Sequence, residues 1–205
     1  MTSTTTTFTP VAYEAKDYSQ IKGLTAITDI QIEEHLKLYN GYVKRTNALF
    51  KKLADIGNEH HQDDSSFQEL KRRLGWEFDG MRLHEYYFDQ LTPGGSGPLT
   101  TGNPFGALVA KQFGSIEAWQ EFFMGTAKMP GIGWVVCYHD PVSGMILNAW
   151  IEQHHEGHLV GCKPILILDC FEHAFCAYLK PTQRGQYLTD FMANVDWNIV
   201  GKRIG

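Results

Sequence analysis

No apolar run in this chain approaches the roughly 18 residues a membrane-spanning helix needs, so no membrane partner is expected. Cysteine is scarce: four in 205 residues, at Cys137, Cys162, Cys170 and Cys176, with no C-x-x-C pair among them. That excludes a disulfide scaffold and suits reduced, mostly buried thiols in a cytosol. An excess of basic charge is also missing. The net charge of −5 argues against a nucleic-acid partner, which would need a basic face. The first ten residues, MTSTTTTFTP, have neither the basic nor the apolar region of a signal peptide. They read as a mobile tail of a cytoplasmic protein. There is no internal repeat, and the length suits one large domain or two small ones.

Histidine is well represented, with nine residues, several inside apolar periodic segments. Thr28 or Asp29 is a helix N-cap, after which Ile32, His35, Tyr39, Tyr42, Val43, Thr46, Leu49 and Leu53 recur at helical spacing. The polar stretch GNEHHQDDS follows, with His60 and His61 read as solvated. Phe67, Leu70, Leu74, Phe78, Met81, His84 and Phe88 then mark a second amphipathic helix. Together they predict an antiparallel helical hairpin that brings His35 towards His84. The segment LTPGGSGPLTTGN is a linker, so the expected division, near Pro93, is 1–92 and 93–205.

Beyond it the spacing predicts helices over Pro104 to Phe113 and Ser115 to Lys128, then strands over Gly133 to His139 and Met145 to Glu152. A third strand, Ile165 to Leu168, leads into a helix over Phe171 to Leu179, and a last helix carries Tyr187, Phe191, Val195 and Ile199. Helices and strands are segregated, which makes the fold class α+β: the hairpin, then an α/β subdomain with a three-stranded antiparallel sheet.

The stretch CKPILILDCFEHAFCAYL organises the rest. Its apolar run delivers Asp169 to a strand end, and His173 follows at a spacing that lets carboxylate and imidazole converge. Singly, each donor is as readily a capping Asp or a core His. Collected, His35, His84, Asp169 and His173 form a singly negative set of three imidazoles and one carboxylate. Such a set suits iron or manganese cycling between its +2 and +3 states better than structural zinc. A fifth position would be open to solvent or a small anion. His154, His155 and His158 cluster near by.

These residues carry a resemblance. His35 with Tyr39, Tyr42 and Val43, His84 before Tyr86 and Tyr87, GIGW at Gly131 to Trp134, and Asp169-Cys-Phe-Glu172-His173-Ala resemble the iron/manganese superoxide dismutase family from about Tyr13 to Ile204. The stretch Glu152-Gln-His154-His-Glu-Gly-His158 is especially similar to the archaeal branch. The resemblance implies disproportionation of superoxide to dioxygen and hydrogen peroxide at one iron or manganese ion per subunit. Its ligands would be His35, His84, Asp169 and His173. Iron is favoured, and a site that works with either metal is compatible with the pattern. A noncatalytic metal-binding or structural relative is the alternative, and the full ligand set argues against it.

The resemblance also implies roles around the metal. In most of the family a Gln hydrogen-bonds the metal's solvent ligand. Here its helical position is Gly80, expected to leave space and no donor, and its loop position falls on His154 beside Gln153. Tyr42 or Tyr39 would gate the channel. Trp134 would line the pocket, His158 anchor the loop, and His155 lie in a turn or interface. Cys176 stands where the family usually has a Tyr that pairs across a dimer. Glu172, expected to be buried at that interface, would cross the dimer to the partner's ligand histidine, predicting a homodimer or a tetramer. Arg184 matches the channel Arg and would draw in the anionic substrate; Lys37 and Lys44 are further candidates for that pull, though a solvated helix face is the more ordinary reading of both. Gly80, His154 and Ile167 are the positions expected to govern metal preference.

Overall fold

The computed structural model describes residues 7–204; the threonine run read as a mobile tail lies at 2 and 4–7, almost wholly outside them. Within the described part of that tail, Phe8 is tied down. Its N–H donates to Asn58 Oδ1 at 2.9 Å, and its carbonyl accepts from Asn58 Nδ2 at 3.0 Å.

Helix α1 (Asp29–Asn58) opens at Thr28, whose hydroxyl accepts the Gln31 N–H at 3.2 Å. Its whole expected stripe is buried, from Ile32 through His35, Tyr39 and Tyr42 to Leu53. Helix α2 (Ser65–Asp89) opens at Asp64 and returns antiparallel. His35 lies against His84, with ring centroids 5.0 Å apart, and further along Arg45 bonds Glu77. The predicted hairpin is therefore present.

Helices α3 (Pro104–Phe113) and α4 (Ile116–Ala127) are capped by Asn103 and Ser115. They pack on a three-stranded antiparallel sheet of β1 (Trp134–His139), β2 (Ile146–Ile151) and β3 (Lys163–Asp169), in the order β2-β1-β3. The register puts Trp134 opposite Asp169 on one side and Ile151 on the other. Gly133 enters β1 at φ 146, where a Cβ would sit 2.2 Å from the Ile151 carbonyl oxygen, so no side chain fits.

As the outer strand on its side, β3 would leave backbone groups unpaired. Gln90, just past α2, fills that edge: its amide accepts from Ile167 N and donates to Ile167 O. Arg203, at the end of α6 (Trp197–Lys202), donates to Gln90 Oε1, Ile165 O and Tyr86 O. These contacts fasten the end of α2 to the strand that carries Asp169.

Two expectations are corrected. The final helix is two, α5 (Arg184–Met192) and α6, because Asp196 caps a new start on Asn198 N–H at 2.9 Å. Phe171 to Leu179 is not an α-helix but a 3₁₀ turn at Glu172–Ala174 followed by further turns. The reason is a contact with a distant segment. A helix would bond the Ala177 N–H to the His173 carbonyl, but the Gln31 side chain of α1 occupies both groups. Its Nε2 donates to His173 O at 2.6 Å and its Oε1 accepts from Ala177 N at 2.8 Å.

Candidate metal centre

His35 from α1, His84 from α2, Asp169 from the end of β3 and His173 from the turn beyond it converge. One ligand atom from each lies within 4.8 Å of all the others. The Nε2 atoms of His35 and His173 each stand 3.0 Å from Asp169 Oδ2, and that of His84 stands 3.8 Å away. Three of the four side chains are fully buried, and only His173, 25% exposed, meets solvent.

The protonation pattern leaves the cluster fit for a cation. His84 Nδ1 is 2.5 Å from the Gly80 carbonyl, which can only accept, so Nδ1 carries the proton. The lone pair of Nε2 therefore faces the cluster, buried and without a hydrogen-bond partner. Such an orphan acceptor is costly unless a cation fills the space. Burial pushes His35 down and His84 far down, so both imidazoles are neutral. Burial alone would raise Asp169, but His173 and His35 outweigh it and hold its carboxyl well below the usual range. For His173 burial opposes the charge, and Asp169 prevails to raise it. Three imidazole nitrogens around one carboxylate are donors that fit iron or manganese.

The backbone under Asp169 is held by Tyr187, whose hydroxyl donates to Asp169 O at 2.8 Å, while Oδ1 accepts the Phe171 N–H at 2.8 Å. Beside the cluster His154 is buried against Trp76 and Phe171, with centroids 4.6 and 5.3 Å away. Trp134 Nε1–H donates to His154 Nδ1 at 3.0 Å, which leaves the imidazole proton on Nε2. That Nε2–H then donates to the Tyr42 hydroxyl oxygen at 2.6 Å. Burial depresses His154 to about 4 and pushes the Tyr42 phenol up to about 12. His158 ties down the loop, donating to the His154 carbonyl and accepting from Tyr138.

The other expected residues fall as follows. Tyr42, not Tyr39, stands beside His154: seven residues at about 100° each return to within roughly 20° of His35. Tyr39 is buried, but its hydroxyl reaches Glu85 Oε1 at 3.2 Å and accepts from Lys16 N. Gly80 does not leave space. The Tyr42 ring fills it, and a Cβ there would meet that ring at 2.6 Å. The Arg184 guanidinium donates to the carbonyls of Gly131 and Ala127 and lies over Trp150. Glu172 and Cys176 lie at the surface of the single chain. Lys37 is exposed and paired with Glu34, Lys44 is exposed, and His155 is half-buried on Gly75. Sequence reading missed Gln31 and Glu77. The signal for Gln31 was a polar residue one turn before His35 on an otherwise apolar face. Glu77 is a buried carboxylate bridged by Arg45 and Arg73.

The arrangement defines a candidate mononuclear metal centre in an α+β frame, shut off on the helix side and open at His173. Residues 101–203 match the family described as iron/manganese superoxide dismutases, C-terminal domain. Superoxide dismutase [Fe] of Aquifex pyrophilus is 32% identical over 93% of this chain and 90% of its own length. The [Fe] enzyme of Sulfolobus acidocaldarius is 33% identical over 87% and 83%, and the [Mn/Fe] enzyme of Aeropyrum pernix 31% over 87% and 82%. The chain belongs to the iron/manganese superoxide dismutase family and is an oxidoreductase of that family.

Proposed function

We propose that the chain disproportionates superoxide to dioxygen and hydrogen peroxide, with one iron or manganese ion held by His35, His84, Asp169 and His173. The observation that carries this is the convergence of three imidazole Nε2 atoms on one carboxylate oxygen, with the His154–Tyr42 hydrogen bond beside it. When bound, the metal supplies one-electron chemistry, taking an electron from one superoxide and giving one to the next. Two superoxide anions and two protons thus become one dioxygen and one hydrogen peroxide.

The chain's part is to admit a small anion and manage those protons. His154 holds one at Nε2, and Trp134 keeps it there by occupying Nδ1. Tyr42 receives that hydrogen bond, which leaves its own hydroxyl proton free for the substrate side. Burial keeps His154 neutral and Tyr42 protonated across the neutral range, so both remain donors. Phe171, Trp76 and Trp134 wall the imidazole off from water.

The protein works as a cytoplasmic homodimer, with Glu172 reaching the partner beside the half-open His173 and Cys176 in the same face. The segments 1–92 and 93–205 act as two subdomains clamping the metal between them. Iron is the preferred ion, in keeping with the names of the Aquifex and Sulfolobus relatives. The test is metal analysis of protein produced separately with iron and with manganese, paired with superoxide consumption by each form. Near-stoichiometric metal with activity in the iron form is the expected result. Bound metal without activity in either form would sink the catalytic reading.

A further inference from the structure

The turn that carries His173 is held out of helical geometry by one buried side chain. Around it the helical pattern survives: Cys176 N–H bonds Glu172 O at 2.8 Å, and Leu179 N–H bonds Phe175 O at 2.9 Å. Between them two rungs are replaced: Tyr178 N–H bonds Phe175 O at 3.1 Å in place of Ala174 O, and the 177-to-173 rung is taken by a side chain. Gln31, fully buried, spans the His173 carbonyl and the Ala177 amide, so the two groups that would bond each other bond a primary amide instead. The orientation of that amide is fixed, because a carbonyl can only accept and an N–H can only donate. Gln31 also sits one helical turn before His35 on α1, so a single side chain ties the backbones of two of the four donors.

We infer that Gln31 is a positioning residue for the metal centre: by wedging open the 173–177 turn it sets where the His173 imidazole stands relative to Asp169 and His35. Two energies compete at this point. Without the wedge, the Ala177 N–H and His173 carbonyl lose their partner, and bonding each other is the helical pairing. Closing that rung turns the segment towards the helix its sequence favours and rotates His173 about the chain axis. With the wedge, the turn stays open, His173 Nε2 stays 3.0 Å from Asp169 Oδ2, and Glu172 projects to the surface.

The inference rests on His173 being a ligand, so His173→Ala is the control. The experiment uses the full chain loaded with iron and compares wild type, Gln31→Ala and Gln31→Glu. Gln31→Glu keeps the volume and the acceptor for Ala177 but loses the donor to His173. Three readouts are taken: the electron paramagnetic resonance spectrum of the ferric protein, the rate of iron release to a chelator, and a crystal structure. The expected result is a changed rhombicity and release faster by about tenfold or more in both variants, the range typical of residues that orient metal ligands. In Gln31→Ala the His173 O to Ala177 N separation closes to hydrogen-bond length. Wild-type spectrum and release rate, with only a lower melting temperature, would overturn the positioning role. If Gln31→Ala does not fold, Gln31→Glu decides alone. If His173→Ala keeps iron and the wild-type spectrum, the ligand assignment itself fails and takes this inference with it.

Discussion

His154 shows how one side chain fixes both a proton and a pH dependence. Buried, it has a folded pKa of about 4 against the 6.5 of a free imidazole. Between those values the unfolded chain binds more protons than the folded one, so stability rises with pH across that window and falls as pH drops through it. The full effect is on the order of 3 kcal/mol. Metal-free protein should therefore lose more stability between pH 7 and pH 5 than His154→Gln does, read as the urea midpoints of the two. Equal losses would show that His154 is not buried as a neutral ring. Gly80 makes a second case. Alanine usually gains up to about 1 kcal/mol over glycine inside a helix, but here the new Cβ would press on Tyr42 at 2.6 Å. Overpacking costs about 1 to 3 kcal/mol, so Gly80→Ala should lower the melting temperature. A rise would mean the Tyr42 ring moves aside freely.

Between elements, the α1–α2 contact contains a carboxylate that is buried while its two partners are half in water. Glu77 is 4% exposed, against 50% for Arg45 and 54% for Arg73. The consequence is asymmetric. Removing the carboxylate leaves two arginines that water can solvate, whereas removing both arginines leaves a charge stranded in the hairpin. Arg45→Met with Arg73→Met should cost roughly 3 to 5 kcal/mol in denaturant unfolding, clearly more than Glu77→Gln. Equal costs would show that water reaches Glu77 once the guanidiniums are gone. The sheet edge follows similar logic. Gln90 and Arg203 supply the partners that β3 lacks, and so hold Asp169 in register with α2.

At the scale of the whole molecule, the proposed ligands come from four segments, and 134 residues separate His35 from Asp169. An ion bound there belongs to the folded chain alone, so the iron-loaded protein should melt above the metal-free form, by a margin that grows with free metal. Identical melting curves would show that the four donors do not act together. The proposed dimer is tested at the same end of the site. Glu172 and Cys176 are exposed on the turn that holds the half-open His173. The wild-type chain should sediment as a dimer, and Glu172→Ala should shift it towards monomer and reduce its bound metal. A variant that stays dimeric with full metal would remove Glu172 from the interface.

By itself the sequence determined the α+β class, the hairpin, the three strands and the cluster of four donors. Each rests on local pattern: period 3.6 around His35 and His84, and the short apolar run that ends at Asp169. It also pointed to His154, through the motif it shares with the family. The tertiary structure decided what depends on contacts between distant segments. Phe171 to Leu179 carries a helical pattern, yet Gln31, more than a hundred residues earlier, bonds the His173 carbonyl and Ala177 amide that a helix would pair. Gly80 is a small residue in sequence, yet its space belongs to Tyr42 on the facing helix. Tyr39 and Tyr42 are equal candidates on paper; folding sets the Tyr39 hydroxyl against Glu85 and the Tyr42 hydroxyl against His154. Periodicity records which face a residue occupies, whereas hydrogen-bond partners are set by packing.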